Sequence, residues 1–175
     1  YDLGSAGATI GYLGSANNLV TSGNVADFVL RSQGNMILAS GGGTERLRIT
    51  GIGSVGIGTA TPDQTLELFK ASGTNLVKVS TEANSTVGFE IEKTGSTTQS
   101  WRIADGQTVN GSLEFYDVTD GATRLMIDGS GNVLLGTTDT SVFSNSSGNG
   151  IVLRGGQAID VARSNDLQLT LNRMG

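Results

Sequence analysis

Short runs of alternating apolar and polar residues recur along the chain, separated by small-residue turns. In the middle of the chain, Val87, Phe89 and Ile91 alternate with glycine and glutamate, and Leu113 and Phe115 flank a glutamate. Alternation at a period of two residues predicts strands with one apolar face, and the Asn-Gly and Asp-Gly dipeptides between them predict hairpin turns. No stretch keeps an apolar period of 3.6 residues. The pattern predicts an all-β fold with almost no helix.

Three regions follow from this pattern. Residues 1–75 carry short apolar pieces and predict a β-rich shaft segment. Residues 76–128, led by Val77 and Val79, predict a small, compact antiparallel β domain because they hold most of the large side chains. Residues 129–175 predict further shaft strands on both sides of a linker rich in serine, asparagine and glycine. Strands are expected in these outer regions at 28–30, 65–70, 151–153, 159–161 and 167–171.

One phrase occurs twice in the chain. The sequence RLRITGIGSVGIGT at residues 46–59 returns, without a gap, as RLMIDGSGNVLLGT at residues 124–137. The positions that survive keep an apolar alternation, a Gly-x-Gly turn and a second short alternation. Two strands joined by a tight turn would preserve this set, because glycine tolerates positive φ. A long repeat of this kind indicates a modular, extended molecule rather than a single enzyme core.

Two stretches match the sequence patterns of ligand-binding motifs but lack residues or flanking structure that those motifs need. Residues 51–56 spell G-x-G-x-x-G, but a dinucleotide site needs a helix to begin within the motif, and Pro62 follows instead. The second copy also has Leu134 in place of the third glycine. Residues 128–132 resemble the start of a calcium loop, but Val133 stands where that loop needs glycine. Both stretches are predicted to be hairpin turns, with no cofactor and no metal.

The composition indicates that one chain alone has little core. It has 27 glycines, 5% aromatic residues and 15% charged residues. Each buried aliphatic side chain contributes about 1.5–3 kcal/mol, whereas ordering each residue costs roughly 1–2 kcal/mol of backbone entropy. The recurring strand pattern argues against disorder. Burial against identical neighbouring chains is therefore the favoured solution.

Charge and residue usage exclude several functions. The net charge of -5 and the pI of about 4.6 argue against nucleic-acid binding, since no Lys/Arg cluster could neutralise phosphates. The chain has no cysteine and no histidine, which removes disulfides, thiolate metal sites and the commonest general base. No apolar run approaches the roughly 20 residues that span a bilayer, so membrane insertion is not expected. Both ends read as cuts through a longer protein.

Paired carboxylates are candidates for catalytic groups. Glu90 and Glu92 are expected on one face of a strand, and Asp117 and Asp120 flank a predicted turn. Glycosidases use such pairs, but acidic residues on a polar strand face usually form only the solvated side of a half-buried sheet. The preferred interpretation is that the chain has no catalytic residues and is not an enzyme.

Two aromatic residues are candidates for contact with a receptor, because aromatic rings stack on sugars. Trp101 alternates with Ile103, which favours a place in the core. Tyr116 breaks the alternation of Leu113 and Phe115, which predicts that it faces outward. Tyr116 is therefore the better candidate and Trp101 the weaker one.

The repeated phrase resembles a family signature. Residues 44–49 (TERLRI) and 53–62 (GSVGIGTATP) are similar to the "T-E-R-M-R-I … G-N-V-G-I-G-T-T-x-P" segments of tailed-bacteriophage tail fibres, which commonly lie upstream of an endosialidase-type intramolecular chaperone. Residues 132–138 resemble a second, drifted copy, and residues 171–175 resemble the "F-N-R-x-G" start of the module that often follows. The matches cover about a quarter of the chain.

The resemblance implies an elongated, intertwined, parallel homotrimer with a β-prism or β-helix-like shaft. It also implies a virion tail fibre that is extracellular, contacts other tail proteins and adheres to a glycan or protein receptor on a bacterial surface. A glycan-depolymerising tailspike domain and a bacterial trimeric adhesin stalk stay open as alternatives. The positions expected to point into the trimer core are Ile49, Val55, Ile57, Ile127, Val133 and Leu135.

Overall fold

The computed structural model describes residues 2–5, 8–16, 19–21, 23–142, 144, 149–156 and 158–163, with side chains from residue 10 onward. These residues form fourteen strands and no α-helix, which confirms the all-β prediction. The expected strand at 167–171, the family resemblance at 171–175 and most of the expected linker lie outside the described residues. The strands are β1 (Asp2–Ser5), β2 (Ala8–Ser15), β3 (Phe28–Ser32), β4 (Met36–Ala39), β5 (Glu45–Ile49), β6 (Val55–Ile57), β7 (Leu66–Leu68), β8 (Val87–Lys93), β9 (Gln99–Asp105), β10 (Leu113–Asp117), β11 (Ala122–Ile127), β12 (Val133–Leu135), β13 (Gly150–Leu153) and β14 (Ile159–Ala162).

The chain divides into two compact units, Tyr1–Val77 and Lys78–Gly175. The first unit holds a three-stranded sheet of order β1-β2-β3 and a four-stranded sheet of order β4-β5-β6-β7. The second unit holds one seven-stranded sheet, in which β8 to β14 follow one another in sequence order. All neighbouring strands are antiparallel except β6 and β7, which are parallel. The expected antiparallel meander is thus present, and it is longer than expected.

Two features of the strand arrangement were not anticipated from the sequence pattern. The seven-stranded sheet continues through residues 128 and 129, which lie in the turn between β11 and β12, and these two strands pair with each other. The strand expected around Val77 and Val79 is absent from the described residues, since no strand lies between β7 and β8. Both valines are exposed, at 56% and 45%. A strand-like sequence has no strand partner here.

Both copies of the repeated phrase form the predicted hairpin, with the same register. In the first copy the facing pairs of β5 and β6 are Leu47 with Ile57, Arg48 with Gly56, and Ile49 with Val55. In the second copy the pairs of β11 and β12 are Leu125 with Leu135, Met126 with Leu134, and Ile127 with Val133. Every pair in the second copy is therefore the counterpart of a pair in the first.

The two turns share their hydrogen bonds as well. The residue that opens each turn donates its N–H to the carbonyl four positions later, at 2.8 Å for Thr50 and 3.0 Å for Asp128. The second glycine of each Gly-x-Gly has a positive φ, +94° at Gly53 and +79° at Gly131. Side chains are strained in this left-handed region, which explains why glycine stands at this point in both copies.

The small core of the second unit lies on one side of its sheet. Met126, Leu134 and Val152 are each exposed by 1% or less, and Val142, from the segment after β12, packs against them. These three strand residues face one another across β11, β12 and β13. Among the described residues, loops of the chain cover only this side of the sheet, so the opposite side is considered next as a functional surface.

Candidate functional site

The second side of the seven-stranded sheet carries two rows of residues that run across all seven strands. Residues that face each other in neighbouring strands share one side of a sheet, so each row follows directly from the strand register. One row is Phe89, Ile103, Phe115, Leu125, Leu135, Ile151 and Val161. The next row is Val87, Asp105, Leu113, Ile127, Val133, Leu153 and Ile159. Every residue in both rows except Asp105 is apolar, and we call the two rows the apolar stripe.

The apolar stripe is open to solvent in the single chain. None of its residues is buried, and the side chains of Phe89 (52% exposed), Phe115 (40%) and Ile159 (72%) show the extent of its exposure. Strands about 4.8 Å apart and rows about 7 Å apart give a footprint of several hundred Å². Exposed apolar patches larger than a few hundred Å² are rare on monomeric proteins, and such patches are often functional.

The four-stranded sheet of the first unit carries the same feature on a smaller scale. Its two rows are Leu38, Leu47, Ile57 and Leu68, and Met36, Ile49, Val55 and Leu66. All eight are apolar, none is buried, and Leu38 and Leu66 are more than half exposed. The hairpins repeat, so the residues of β5 and β6 in this smaller stripe occupy the same repeat positions as the residues of β11 and β12 in the apolar stripe of the seven-stranded sheet. The same open apolar surface is therefore built twice.

All six residues expected at the trimer core lie in these stripes. Ile127, Val133 and Leu135 belong to the stripe of the seven-stranded sheet, and their counterparts belong to that of the four-stranded sheet. The counterparts are Ile49, Val55 and Ile57. The core of the single chain is formed instead by Met126 and Leu134, on the other side of the same hairpin.

Trp101 is not in the core of the single chain, contrary to expectation. It pairs with Ile91 of β8, next to the apolar stripe, and it is 39% exposed. The alternation with Ile103 correctly put both residues on the apolar side, but no described part of the chain covers that side. Tyr116 faces Arg102 and Thr123 on the opposite side, which the chain's own loops cover, and it is half-buried, whereas its break in the alternation predicted that it faces outward.

The covered side of the sheet holds a fully buried carboxylate, Glu114, which faces Ala104 and Met126. The backbone N–H groups of Thr108 and Val109 donate to its Oε1 at 2.7 and 3.0 Å, and the Thr123 hydroxyl donates to Oε2 at 2.6 Å. Burial alone would raise the pKa of Glu114, but these hydrogen bonds outweigh burial and lower the pKa below its usual value. Glu114 thus fixes the loop between β9 and β10 over the sheet as an anion. Its alternation with Leu113 and Phe115 put Glu114 on the opposite side from them, and the structure shows that loops cover it there.

A second carboxylate, Asp117, organises the end of β10. Gln99 donates to its Oδ1 at 2.7 Å and Arg124 donates to its Oδ2 at 2.7 Å. Arg124 also pairs with Asp120. The hydrogen bond from Arg124 is the main reason why the pKa of Asp117 is lowered, against the opposing effect of burial. By strand alternation Asp117 and Gln99 have the same orientation as Trp101, so this polar network borders the apolar side.

The calcium-like sequence forms the predicted turn. Oδ1 of Asp128 accepts the backbone N–H groups of Ser130 and Asn132, each at 2.9 Å, and Oδ2 accepts the Asn132 side-chain amide at 2.8 Å. The hydrogen bond from that amide is the main cause of the lowered pKa of Asp128. Among the described residues, no group of three His, Cys, Asp or Glu side chains is placed to hold a metal ion.

Glu90 lines a depression of about 320 Å³ along β8 and β9. Its Oε2 accepts the Arg102 Nε at 2.6 Å and its Oε1 accepts the Ser100 hydroxyl at 2.8 Å. These bonds, that from Arg102 first, lower the pKa of Glu90. A general acid in glycoside hydrolysis requires a raised pKa. The depression is lined by Thr86, Gly88, Phe89, Glu90, Arg102 and Ala104.

Comparison of the chain with models of known protein families found no match, and comparison with curated proteins found none either. Within the described part of the chain, no helix has the length and hydropathy needed to cross a bilayer.

Proposed function

We propose that the chain is a structural and host-recognition segment of a viral tail fibre, in which three copies associate through their apolar stripes. The observation that carries the proposal is the orientation of the seven-stranded sheet. Its apolar side is open, and its more polar side is covered by the chain's own loops. A single soluble chain gains most by the opposite arrangement.

Composition favours identical copies as the partners at the stripe. Interfaces in permanent homo-oligomers are more apolar than those in transient complexes, which are about as polar as the rest of a protein surface. Across fourteen positions, the stripe of the larger sheet has one charged residue, Asp105. The polar network around Asp117 would then form part of the polar rim of the interface between copies. Parallel trimeric assembly, an elongated shape and a place in the virion rest on the family resemblance of the repeated phrase.

The receptor surface would lie outside the stripes. Assembly through the stripe would cover Trp101, whereas Tyr116 points to the opposite side of the sheet and would stay accessible at its half-buried position. A bacterial surface glycan or protein would be the receptor, and other tail proteins would hold the fibre. In this proposal the protein catalyses no reaction. It extends the fibre towards the bacterial surface and adheres to that surface.

Adsorption of the labelled protein to a panel of bacterial strains tests the proposed adhesion. We expect binding to some strains, competition by surface polysaccharide or surface protein extracts from those strains, and weaker binding by Tyr116→Ala than by a matched Tyr12→Ala variant. Release of oligosaccharides from the purified polysaccharide would instead favour the depolymerising tailspike. If the protein assembles but adsorbs to no strain, the segment acts only as a spacer, in a fibre or in a bacterial adhesin stalk.

A further inference from the structure

Residues 74–81 have a strand-like sequence but no strand partner. Val77, Lys78 and Val79 alternate between apolar and polar, and the two valines favour strands. Within the described part of the chain, no backbone–backbone hydrogen bond involves residues 74–81, and all eight residues are exposed. Natural sequences are usually consistent between local preference and final structure. The mismatch at this segment indicates that a partner strand is supplied from outside the single chain.

The seven-stranded sheet has an open edge that could receive such a strand. β8 is the last strand of the sheet, and within the described residues it pairs only with β9. It is seven residues long, and its Phe89 and Ile91 side chains are 52% and 61% exposed. Soluble proteins normally shorten, charge or cover such edges, because unpaired N–H and C=O groups bind other strands.

The segment and the edge are complementary in both apolarity and charge. If residues 76–80 add to the outer side of β8, Val77 and Val79 extend the apolar side on which Phe89 and Ile91 lie. Lys78 then points to the opposite side, where β8 carries Glu90 and Glu92. Opposite charges on neighbouring strands stabilise their pairing.

We propose that residues 76–80 of one copy pair with the outer edge of β8 in a neighbouring copy. Within one chain the segment leaves β8 unpaired, so a second copy is the occupant that this geometry favours. Each copy supplies one segment and one β8 edge. In a closed ring of copies, every segment therefore pairs with the β8 edge of the next copy. The inference rests on the self-association proposed above and adds a second, hydrogen-bonded contact to it.

Hydrogen exchange of the segment's amides tests the pairing directly. The wild-type assembly is compared with the Val133→Asp variant, in which a charge on the stripe should keep the chain monomeric. We expect the amides of residues 76–80 to exchange at least about tenfold more slowly in the assembly than in the variant, since ladder hydrogen bonds protect amides. Unprotected amides in a wild-type trimer would overturn the pairing alone. Equal protection in both proteins would show that the segment pairs within its own chain, which also overturns it.

Two neighbouring proline variants give a matched second test. Adjacent residues in a strand direct their N–H groups to opposite sides, so only one of Lys78→Pro and Val79→Pro removes a hydrogen bond to β8. We expect the proline variant that loses this hydrogen bond to weaken assembly by about two- to tenfold per interface, in line with one lost hydrogen bond. The other proline variant and Val79→Ala serve as controls. Equal trimer stability in both proline variants would overturn the pairing, and a monomeric wild type would overturn it together with the proposed function.

Discussion

The two hairpins of the repeat are the same on one side and different on the other. Both present two facing apolar pairs, such as Ile49 with Val55 and Ile127 with Val133, to the open side of their sheets. On the opposite side, Met126 and Leu134 of the second hairpin form the core, whereas the corresponding pair in the first hairpin is an arginine and a glycine. The repeat therefore preserves the open side and the turn, and it varies the covered side.

The difference between the two hairpins follows from how the chain continues after each of them. A side chain at Gly56 would place its Cβ 2.6 Å from the Thr59 carbonyl oxygen, because the chain turns back closely over the first hairpin. After the second hairpin the chain leaves room for Leu134 and contributes Val142 to cover it. An open surface that is kept while the covered side changes is what the proposed association through the stripes would require.

A charge on the open side should have the largest effect. Val133→Asp or Val55→Asp should abolish assembly, with a loss of at least about 100-fold in association, since burying an unpaired charge costs several kcal/mol. Sedimentation velocity measures the loss, and circular dichroism shows whether the chain still folds. Ile52→Asp is the matched control, because Ile52 lies at the tip of the first turn and is 92% exposed. Equal disruption by the control would show that the stripe has no special role.

Two neighbouring leucines separate the covered side from the open side. In the monomeric Val133→Asp background, Leu134→Ala should lower the free energy of unfolding by about 2–5 kcal/mol, because it leaves a cavity in the core. Leu135→Ala, on the open side, should cost less than half as much in this background. Urea unfolding measures both values. A reversed order would contradict the assignment of the two sides.

Acid should destabilise the second unit before the first. Glu90, Glu114, Asp117 and Asp128 of the second unit have lowered pKa values in the folded state, and only Glu45 does in the described part of the first unit. A lowered folded pKa gives stability that is present above the unfolded values of 4.5 and 3.8 and is lost as the pH falls through the folded values.

The sole tryptophan provides the readout for this prediction. Trp101 lies in β9, so its fluorescence reports unfolding of the seven-stranded unit. We expect its urea midpoint to be nearly constant above about pH 5 and to fall steeply below pH 4. Glu114→Gln should flatten part of this decrease. A midpoint that rose on acidification would contradict the assigned hydrogen bonds.

Glycine substitutions in the turns should have the smallest effects. Gly131→Ala should cost about 1–2 kcal/mol because its φ of +79° is unfavourable for a side chain. Gly129→Ala is the control, since its added Cβ would meet only the Gly111 carbonyl oxygen, at 3.7 Å. Gly53→Ala and Gly51→Ala should repeat this contrast in the first hairpin, and differential calorimetry can measure all four. Equal costs within a pair would show that the turn conformation is not what the repeat preserves.

Local pattern was sufficient to predict the hairpins and the side on which each strand residue lies. The Gly-x-Gly turn fixed the register, and the period of two then put Val133 and Leu135 on one side and Leu134 on the other. The same period put Tyr116 on the side opposite to Leu113 and Phe115, but it could not show that loops cover that side. These features depend on neighbours a few residues apart, which a single sequence contains.

Features that depend on distant segments could not be predicted. The burial of Glu114 requires the loop that donates the Thr108 and Val109 N–H groups, and alternation says nothing about which loop covers a strand. The exposure of Trp101 has the same cause, because an apolar side looks identical in sequence whether its own chain or another covers it. Thr123 faces Tyr116 rather than Glu114, so its hydroxyl could not be recognised as a donor to Glu114 before the strand register was known.

The molar mass of the protein in solution is the most direct test of association through the stripes. Sedimentation equilibrium at micromolar concentration should give about 54 kDa, three times the 17.9 kDa chain, and should give the single-chain mass for Val133→Asp. A wild-type mass of about 18 kDa, with the stripes open in solution, would contradict the proposed assembly.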